Sequence, residues 1–346
     1  MISEQEAKSA VIEAGKMLLS EKLTARTWGN VSCRTGEKSF VITPSGLSYE
    51  KTTVDDLVSY DMATGQWRGA RKPSSERGIH LAAYEIFPDA GFVIHTHQTY
   101  ASAIGMAGFY DLKLSNEEEA VLGKIALARY GLPSTKKLVE NAKNAFKSNA
   151  KIVLMYMHGA IIAAKDKDEA FYRAKLLEEV CKRAAKGQPD MRGAKEKDTA
   201  AQPFPPSNSM EKLEELTKQA APYFPFTDCA CTPAAAEVSR ISSSSFPAQL
   251  DDMAQMIGSK LITVDNNVKF TVKALKKYPA ILVKDLGVIC RAKNKSDCDA
   301  LKLLVEKACV CYLHTKALNV KRALSPIDRA LMRFVYLSKY SKKSEG

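Results

Sequence analysis

Residues 152–181 read IVLMYMHGAIIAAKDKDEAFYRAKLLEEVC, and this stretch decides the fold. A short apolar run, 152–156, is followed by a turn at Gly159 and by a second apolar run. Apolar runs of this length between turn residues indicate buried β-strands. The residues that follow have the spacing of an amphipathic helix. The stretch therefore predicts a strand, a turn, a second strand and a helix over 166–186.

Outward from this stretch, the sequence alternates further strands with covering helices. Residues 92–97 read FVIHTH and predict another strand, and residues 75–87 before it have helical spacing. Near the N-terminus, residues 3–22 place apolar side chains on one helical face, and Ser3 followed by Glu6 is typical of a capping box. Strands that alternate with helices in this way are typical of an α/β layered domain.

The second half of the chain contains a repeat of the first. Residues 280–309 align with 152–181 without gaps, at an offset of 128 because 280 minus 152 is 128. The matches include two glycines, two Ala-Lys pairs, two glutamates and two cysteines: Gly159 and Gly287, Ala164-Lys165 and Ala292-Lys293, Glu178 and Glu306, Cys181 and Cys309. Any two strand–helix units share some pattern, but gapless agreement over this length favours a duplication. His158 falls on Leu286, so the second copy has lost a polar side chain there.

The composition between the halves changes to that of a linker. Residues 187–209 are rich in glycine, proline and charged residues. We therefore expect a first domain over 1–186, a linker over 187–209 and a degenerate second copy over 210–346. A final helix near 325–340 has an apolar face that we expect to be buried against the protein or a partner, and it consists of Ile327, Leu331, Phe334, Val335 and Leu337.

Composition and charge exclude several classes of protein. Hydrophobic residues make up 45% of the 346, so disorder of the whole chain is excluded. No apolar run approaches the roughly 20 residues that span a bilayer. The N-terminus lacks a signal peptide's basic start and apolar core, and the eight cysteines lack zinc-finger spacing, so we expect reduced thiols and a cytoplasmic location. The net charge of +12 comes without a nucleic-acid-binding motif, which favours phosphorylated small molecules over nucleic acid or membrane as partners.

Three of the five histidines suggest a metal site. His95 and His97 lie two residues apart in a predicted strand, so their side chains point to the same face. His158 ends another predicted strand just before Gly159. Three imidazoles from neighbouring strands can bind one metal ion and leave coordination positions open for a substrate. A single histidine more often packs in the core or at the surface, but the set of three predicts a metal site.

A carboxylate and three polar turns accompany the histidines. Glu76 follows Ser74 and Ser75 at the predicted start of a helix, where serines cap the helix and backbone amides also favour phosphate. Two further polar turns lie near short strands: Gly29-Asn30 and Thr43-Pro44-Ser45-Gly46. Each turn alone is ordinary. Together with the histidines, the three turns predict a phosphate-binding cradle beside a metal.

Taken in order, these motifs resemble the class II aldolase and adducin family over roughly residues 5–185. The motifs are Gly29-Asn30-Val31-Ser32, Ile42-Thr43-Pro44-Ser45-Gly46, Ser74-Ser75-Glu76, His95-Thr96-His97 and His158-Gly159. The resemblance implies a three-layer α/β/α sandwich around a largely antiparallel sheet. It also implies a homo-oligomer, because relatives assemble as tetramers with their sites near subunit interfaces.

The resemblance also implies a reaction and the roles of the site residues. His95, His97 and His158 would bind zinc or another divalent metal, and Glu76 would be the acid–base carboxylate that also approaches the metal. The residues implied to hold the substrate phosphate are Asn30, Ser45, Gly46, Ser74 and Ser75. The implied activity is that of a metal-dependent aldolase, a lyase that cleaves a small phosphorylated sugar through a zinc-stabilised enediolate. A glutamate at position 76 resembles the aldolases more than the epimerases of the family, which have aspartate there.

Two other functions stay open at this stage. A sugar-phosphate epimerase of the same family would use similar chemistry, and an adducin-like metal-binding scaffold would need no catalysis. The tyrosines that family aldolases carry after the His-x-His strand and near the C-terminus have no match here, which leaves the proton donor to the leaving group unassigned. Glu117, in the run LSNEEE, could act there, although such a charge run is more typical of a solvated helix start. The complete histidine set and Glu76 favour an enzyme.

Overall fold

The computed structural model describes residues 2–108, 112–186, 208–242 and 244–340. The chain divides into two compact units, which comprise the described residues up to Ala185 and those from Lys186 to Lys339. Residues 187–207 of the predicted linker lie outside the described residues. No described helix is long and apolar enough to cross a bilayer.

The first unit contains eight strands and six helices among its described residues. The strands are β1 Asn30–Gly36, β2 Ser39–Ile42, β3 Val58–Asp61, β4 Trp67–Arg68, β5 Phe92–Thr96, β6 Ile125–Ala128, β7 Ile152–Met155 and β8 Gly159–Ala164. The helices are α1 Glu4–Ser20, α2 Arg77–Ile86, α3 Thr99–Ala107, α4 Asn116–Leu122, α5 Lys136–Phe146 and α6 Lys167–Lys186. The predicted capping box of Ser3 and Glu6 is formed at the start of α1.

One mixed sheet forms the middle layer of the first unit. Its order is β4-β3-β2-β1-β5-β8-β7-β6, and only β6 and β7 pair in parallel. Successive strand residues point to opposite faces. Accordingly, Ile94 and Leu154 lie in a core cluster with α1, α3 and α6, whereas Val93 and Val153 lie in a second cluster with α2 and α5. Helices therefore cover both faces, and the unit is an α/β/α sandwich with a largely antiparallel sheet.

The second unit has a smaller sheet of its own. Its helices are α7 Ser209–Ala220, α8 Pro233–Ile241, α9 Asp251–Met256, α10 Val268–Lys277, α11 Lys295–Ala317 and α12 Pro326–Val335. Its strands are β9 Phe226–Ala230, β10 Ser245–Pro247, β11 Lys260–Val264, β12 Ala280–Val283 and β13 Gly287–Ala292, in the sheet order β10-β11-β12-β13-β9. Strands β12 and β13 with helix α11 have the same order as β7, β8 and α6. The turns also agree, because Met157 and Asp285 have φ values of 61° and 62°.

The apolar face expected near residues 325–340 is largely exposed in the described part of the chain, so its burial against a partner stays a prediction. Ile327 is 78% exposed and Phe334 is 69% exposed, and Leu331 and Leu337 are also exposed. Val335 is half-buried. The helix forms because Ser325 caps its start and Pro326 occupies its first turn, which requires no burial of this face.

Candidate active site

Three imidazoles, those of His95, His97 and His158, lie close together at the end of β5 and at the adjacent turn between β7 and β8. His95 lies in β5, His97 directly follows that strand, and His158 directly precedes β8, which pairs with β5. All three are buried, and their candidate ligand nitrogens lie within 4.8 Å of one another. The Nε2 atoms of His95 and His97 are 3.0 Å apart, and the ring centroids of His95 and His158 are 4.9 Å apart. Among the described residues, this histidine set is the group that could hold a metal ion.

The hydrogen bond of His95 leaves one of its ring nitrogens free of a proton and able to bind a cation. Its Nδ1 lies 2.9 Å from the carbonyl oxygen of Ala160, which can only accept, so Nδ1 carries the proton. Burial lowers the pKa of His95 well below its usual value, so the ring is neutral and Nε2 presents a lone pair. That lone pair faces His97 Nε2 and, at 3.4 Å, a carboxylate oxygen of Glu76. Ring nitrogens and a carboxylate that converge in this way can bind a divalent metal, and the Nδ1–H bond to a carbonyl is the usual support of a metal-binding imidazole.

Glycines at two positions permit this close approach of strands. A Cβ atom on Gly159 would lie 2.2 Å from the carbonyl oxygen of Thr96. A Cβ atom on Gly29 would lie 2.4 Å from the carbonyl oxygen of His95, and the φ of Gly29, +77°, also favours glycine. Both glycines therefore allow neighbouring backbone to pack directly against the strand end that carries His95.

Glu76 lies between two of the imidazoles. It is the N-cap residue of α2, and its side chain is buried. Its Oε1 is 3.3 Å from His158 Nε2, and its Oε2 is 3.4 Å from His95 Nε2. Burial would raise the pKa of Glu76, but the charge and hydrogen bond of His158, together with the charges of His95 and His97, lower it. The side chain is therefore a carboxylate that can bind a metal or accept a proton.

The two serine-containing turns lie side by side. The backbone N–H of Ser45 donates to the carbonyl of Lys72, and that of Ser74 donates to the carbonyl of Thr43, each at 3.0 Å. Ser74 Oγ accepts from the N–H of Glu76 at 3.3 Å. The expected serine cap is absent, because Glu76 is the N-cap residue of α2 and no side chain caps the helix. Ser75 is exposed. The structure thus brings the turn of Ser45 and Gly46 next to the turn that carries Glu76.

Asn30 joins this group through its side chain. Its Nδ2 donates to Glu76 Oε2 at 3.1 Å, and its Oδ1 lies 2.5 Å from His80 Nε2. Asn30 is buried. Asn30, which was predicted to bind phosphate, therefore contacts the Glu76 carboxylate directly. The Gly-Asn turn motif alone did not indicate this contact.

Several residues near the site were not singled out from the sequence. His80 contacts Asn30, Ser134 Oγ donates to Ser75 Oγ at 2.8 Å, and the Trp28 ring lies 6.5 Å from the His97 ring. His80 follows Glu76 by four residues, so helical spacing could have placed both on one face. Trp28 directly precedes Gly29, which was a weaker signal. Ser134 lies in a loop, and no sequence pattern connects it to Ser75.

Glu117 lies at a capped helix start. It is exposed in the first turn of α4, and its Oε2 accepts from Ser115 Oγ at 2.7 Å. Ser115 and Glu118 form a capping box there. These contacts are typical of a solvated helix start. They do not place Glu117 as a proton donor at the site.

Comparison with known proteins places the site in a family context. A family model described as "Class II Aldolase and Adducin N-terminal domain" matches residues 9–185. An L-ribulose-5-phosphate 4-epimerase, UlaF, of Salmonella paratyphi C (strain RKS4594) is 34% identical over 197 residues, which is 52% of this chain and 84% of that protein. A solved L-fuculose 1-phosphate aldolase is 34% identical, with a TM-score of 0.49, and the match covers 53% of this chain and 85% of that one. A sugar-phosphate aldolase from Thermotoga maritima is 18% identical, with a TM-score of 0.46, over 53% of this chain and 96% of that one.

Proposed function

The chain belongs to the class II aldolase and adducin family, and on that premise we propose that it is a metal-dependent aldehyde-lyase that cleaves a small phosphorylated sugar. The observation that carries the proposal is the buried Glu76 carboxylate, which lies within 3.4 Å of two imidazoles of the histidine set. A carboxylate held beside a metal site suits proton transfer at a carbon next to a carbonyl group.

The protein's own residues divide into metal ligands and a base. His95, His97 and His158 would hold zinc or another divalent metal, and Glu76 would lie beside it. When bound, such a metal supplies Lewis-acid stabilisation of negative charge on substrate oxygens. The surrounding imidazoles lower the pKa of Glu76, so its side chain is a carboxylate.

The proton balance of cleavage assigns one transfer to Glu76. The hydroxyl next to the scissile bond gives its proton to water, and the carbon–carbon bond breaks with its electron pair on the ketone fragment. The other fragment leaves as an aldehyde. Glu76 takes up a proton from water and delivers it to the carbon of the ketone fragment that held the broken bond. In condensation it removes that proton and returns it to water.

The substrate phosphate would lie on the adjoining turns. We propose that Ser45, Gly46, Ser74 and Ser75 bind it through hydroxyl and backbone N–H groups, together with Asn30. The two turns are joined by backbone hydrogen bonds, so they form one surface beside Glu76. A phosphate held away from the reacting carbons orients the sugar without taking part in bond cleavage.

A sugar-phosphate epimerase is the second candidate. The observation that favours it is the 34% identity to a protein named L-ribulose-5-phosphate 4-epimerase. An epimerase of this family would break and remake a bond at the same site and would release no fragment. Glu76 in place of aspartate favours the lyase, as the sequence resemblance implied.

A screen of sugar phosphates with product identification tests the proposal. Zinc-loaded protein is incubated with phosphorylated ketoses and aldoses. We expect one of them to release a triose or glycolaldehyde, because the aldehyde fragment leaves the site. An isomeric ketose as the only product would establish the epimerase instead. No turnover of any sugar phosphate would contradict both enzymes and favour the metal-binding scaffold.

We further propose that residues 1–186 are the catalytic domain and that residues 210–346 are a degenerate copy of it. The order of elements supports the proposal. In the first unit it is β5, α3, α4, β6, α5, β7, β8, α6, and in the second it is β9, α8, α9, β11, α10, β12, β13, α11, with β10 inserted. Strands β11 and β12 pair in parallel as β6 and β7 do, and the other matched pairs are antiparallel in both units.

The registers of the matched strands agree as well. Phe92 faces Ala164 in the first unit, and Phe226 faces Ala292 in the second, where Ala292 again follows its counterpart by 128 residues. On this register three residues of the second unit correspond to His95, His97 and His158: Cys229, Cys231 and Leu286. Burial raises the pKa of both thiols, which disfavours the thiolate form that binds metal. We therefore propose that the copy binds no metal.

A glutamate also contacts the start of the same helix in both units. Glu178 accepts hydrogen bonds of 2.8 and 2.9 Å from two backbone N–H groups at the start of α3. Glu306, its counterpart at the offset of 128, accepts from the Thr232 hydroxyl and the Ala235 N–H at the start of α8. Neither contact has a part in the proposed chemistry, so the shared feature supports common descent.

The second unit would then act through packing and assembly. We propose that the protein is a homo-oligomer of few chains, a dimer in the simplest case, and that the second unit takes the place of a neighbouring subunit. Light scattering on the full chain and on a chain truncated near residue 190 checks this. We expect the full chain to be oligomeric and the truncated chain to assemble differently. A monomeric full chain, with an equally soluble and active truncated chain, would exclude an assembly role.

A further inference from the structure

A buried chain of hydrogen bonds lies behind Glu76. Asn30 Nδ2 donates to Glu76 Oε2 at 3.1 Å, and Asn30 Oδ1 lies 2.5 Å from His80 Nε2. His80 Nδ1 lies 2.7 Å from Ser32 Oγ, which lies 2.8 Å from the Tyr84 hydroxyl. All five side chains are buried. The chain therefore links the proposed base to a tyrosine two helical turns away without reaching the surface.

Two regular spacings build this chain. Glu76, His80 and Tyr84 follow one another at intervals of four along α2, so they share one face of the helix. Asn30 and Ser32 lie two apart in β1, so their side chains point to the same face of the sheet. This face of α2 packs on this face of β1, so the polar side chains of the helix and the strand contact one another.

The partners fix the direction of every hydrogen bond. An ionised carboxylate only accepts, so the Asn30 amide nitrogen faces Glu76 and its oxygen faces His80. His80 must then donate from Nε2, and in a neutral ring Nδ1 accepts. Ser32 therefore donates to His80, and Tyr84 donates to Ser32. Burial lowers the pKa of His80 to about 3, against the opposing charge of Glu76, so the ring is neutral.

We infer that His80, supported by Ser32 and Tyr84, is a positioning residue that orients the Asn30 amide so that its N–H holds the Glu76 carboxylate in place. The inference rests on the proposed role of Glu76 as the base. A flipped Asn30 would point its oxygen at the carboxylate, and it would also leave the Nε2–H of His80 without an acceptor, so the His80 tautomer with Nε2–H favours the unflipped amide. One Asn30 N–H is used by Glu76, so Asn30 offers a substrate at most the other.

The first test reads the His80 tautomer and needs no substrate. In protein labelled with ¹⁵N-histidine, long-range ¹H–¹⁵N spectra distinguish a protonated ring nitrogen from a bare one. The His80 signals are assigned by their loss in His80→Gln. We expect His80 to carry its proton on Nε2 and His95 to carry it on Nδ1, so one spectrum contains both tautomers. A proton on Nδ1 of His80, or on both nitrogens, would overturn the inference whether or not the enzyme is active.

The second test uses a matched pair of substitutions on the turnover assay. In His80→Gln, an amide N–H can replace the Nε2–H donor, whereas His80→Phe fills similar space without a donor. Partners behind a site residue typically affect activity by about 10- to 100-fold. We expect His80→Phe to lower kcat by this amount with little change in KM or metal content, and His80→Gln to recover most of the loss.

Two outcomes would contradict the positioning role. One is a His80→Phe variant with wild-type kcat, and the other is equal loss in the Gln and Phe variants at unchanged metal content. If His80→Phe does not fold, Tyr84→Phe serves in its place, because it removes only the last donor. We expect Tyr84→Phe to lower kcat at unchanged metal content. Wild-type kcat, or a loss of activity that follows a loss of metal, would contradict the positioning role.

Discussion

Replacing Glu76 by glutamine is expected to lower kcat by about 10²- to 10⁴-fold, the usual contribution of a general acid–base group. Glutamine has nearly the same shape, but it cannot accept a proton from the substrate carbon. Its amide can still contact His158 and Asn30, so folding should be preserved. The measurement is steady-state turnover of the sugar phosphate found in the screen, at equal metal content.

The matched control for this change is Glu85→Gln on the same helix. Glu85 is exposed and pairs with Lys143 at 2.7 Å, a surface contact that contributes little to stability. We expect wild-type turnover from the control. A Glu76→Gln variant that also turns over at the wild-type rate would remove the proposed base from the mechanism.

The fold of the first unit followed from local patterns in the sequence. The strands over 92–97 and 152–156 were predicted because buried strands read as short apolar runs. In the structure they span Phe92–Thr96 and Ile152–Met155. The helix expected over 75–87 spans Arg77–Ile86. Boundaries differ by one or two residues because helix and strand ends depend on caps and on neighbouring backbone.

The meeting of the three histidines also followed from the sequence. Two of them share a strand face by the period of two, and the third ends a strand before a glycine turn. The contacts of Asn30 did not follow in the same way. A Gly-Asn turn predicts a local conformation, but the partners of its side chain are set by which helix packs on the strand. That packing joins residues 46 and 50 positions apart.

The proposed correspondence of Cys229 and Cys231 with His95 and His97 was hidden in the sequence by a change in offset. Strands β5 and β9 differ by 134 positions, because 226 minus 92 is 134, whereas β7 and β12 differ by 128. Part of the difference lies between β6 and α5, where the first unit has residues 129–135 and the second has only 265–267. Loops tolerate such length changes while the strands keep their register. A gapless alignment therefore recovers only the part of the proposed repeat from β7 and β12 onwards.

The substitution His158→Leu is expected to abolish metal binding, and it copies the residue found at the corresponding place in the second unit, Leu286. Leucine keeps an apolar volume beside the buried His95, so the strand turn should still pack. It removes one of three imidazoles, and a zinc ion held by three protein ligands depends on each of them.

Metal analysis of purified protein checks this expectation, with His314→Leu as the matched control. His314 is also buried, and neither ring nitrogen has a hydrogen-bond partner among the described residues. It lies in α11 of the second unit. Wild type and His314→Leu should each carry about one ion per chain, the loading of a single three-histidine site. A ligand that binds only the folded state stabilises that state. Added zinc should therefore raise the Tm of the wild type and of His314→Leu, but not the Tm of His158→Leu. Equal loading of all three proteins would place the bound ion away from the histidine set and would contradict the metal site.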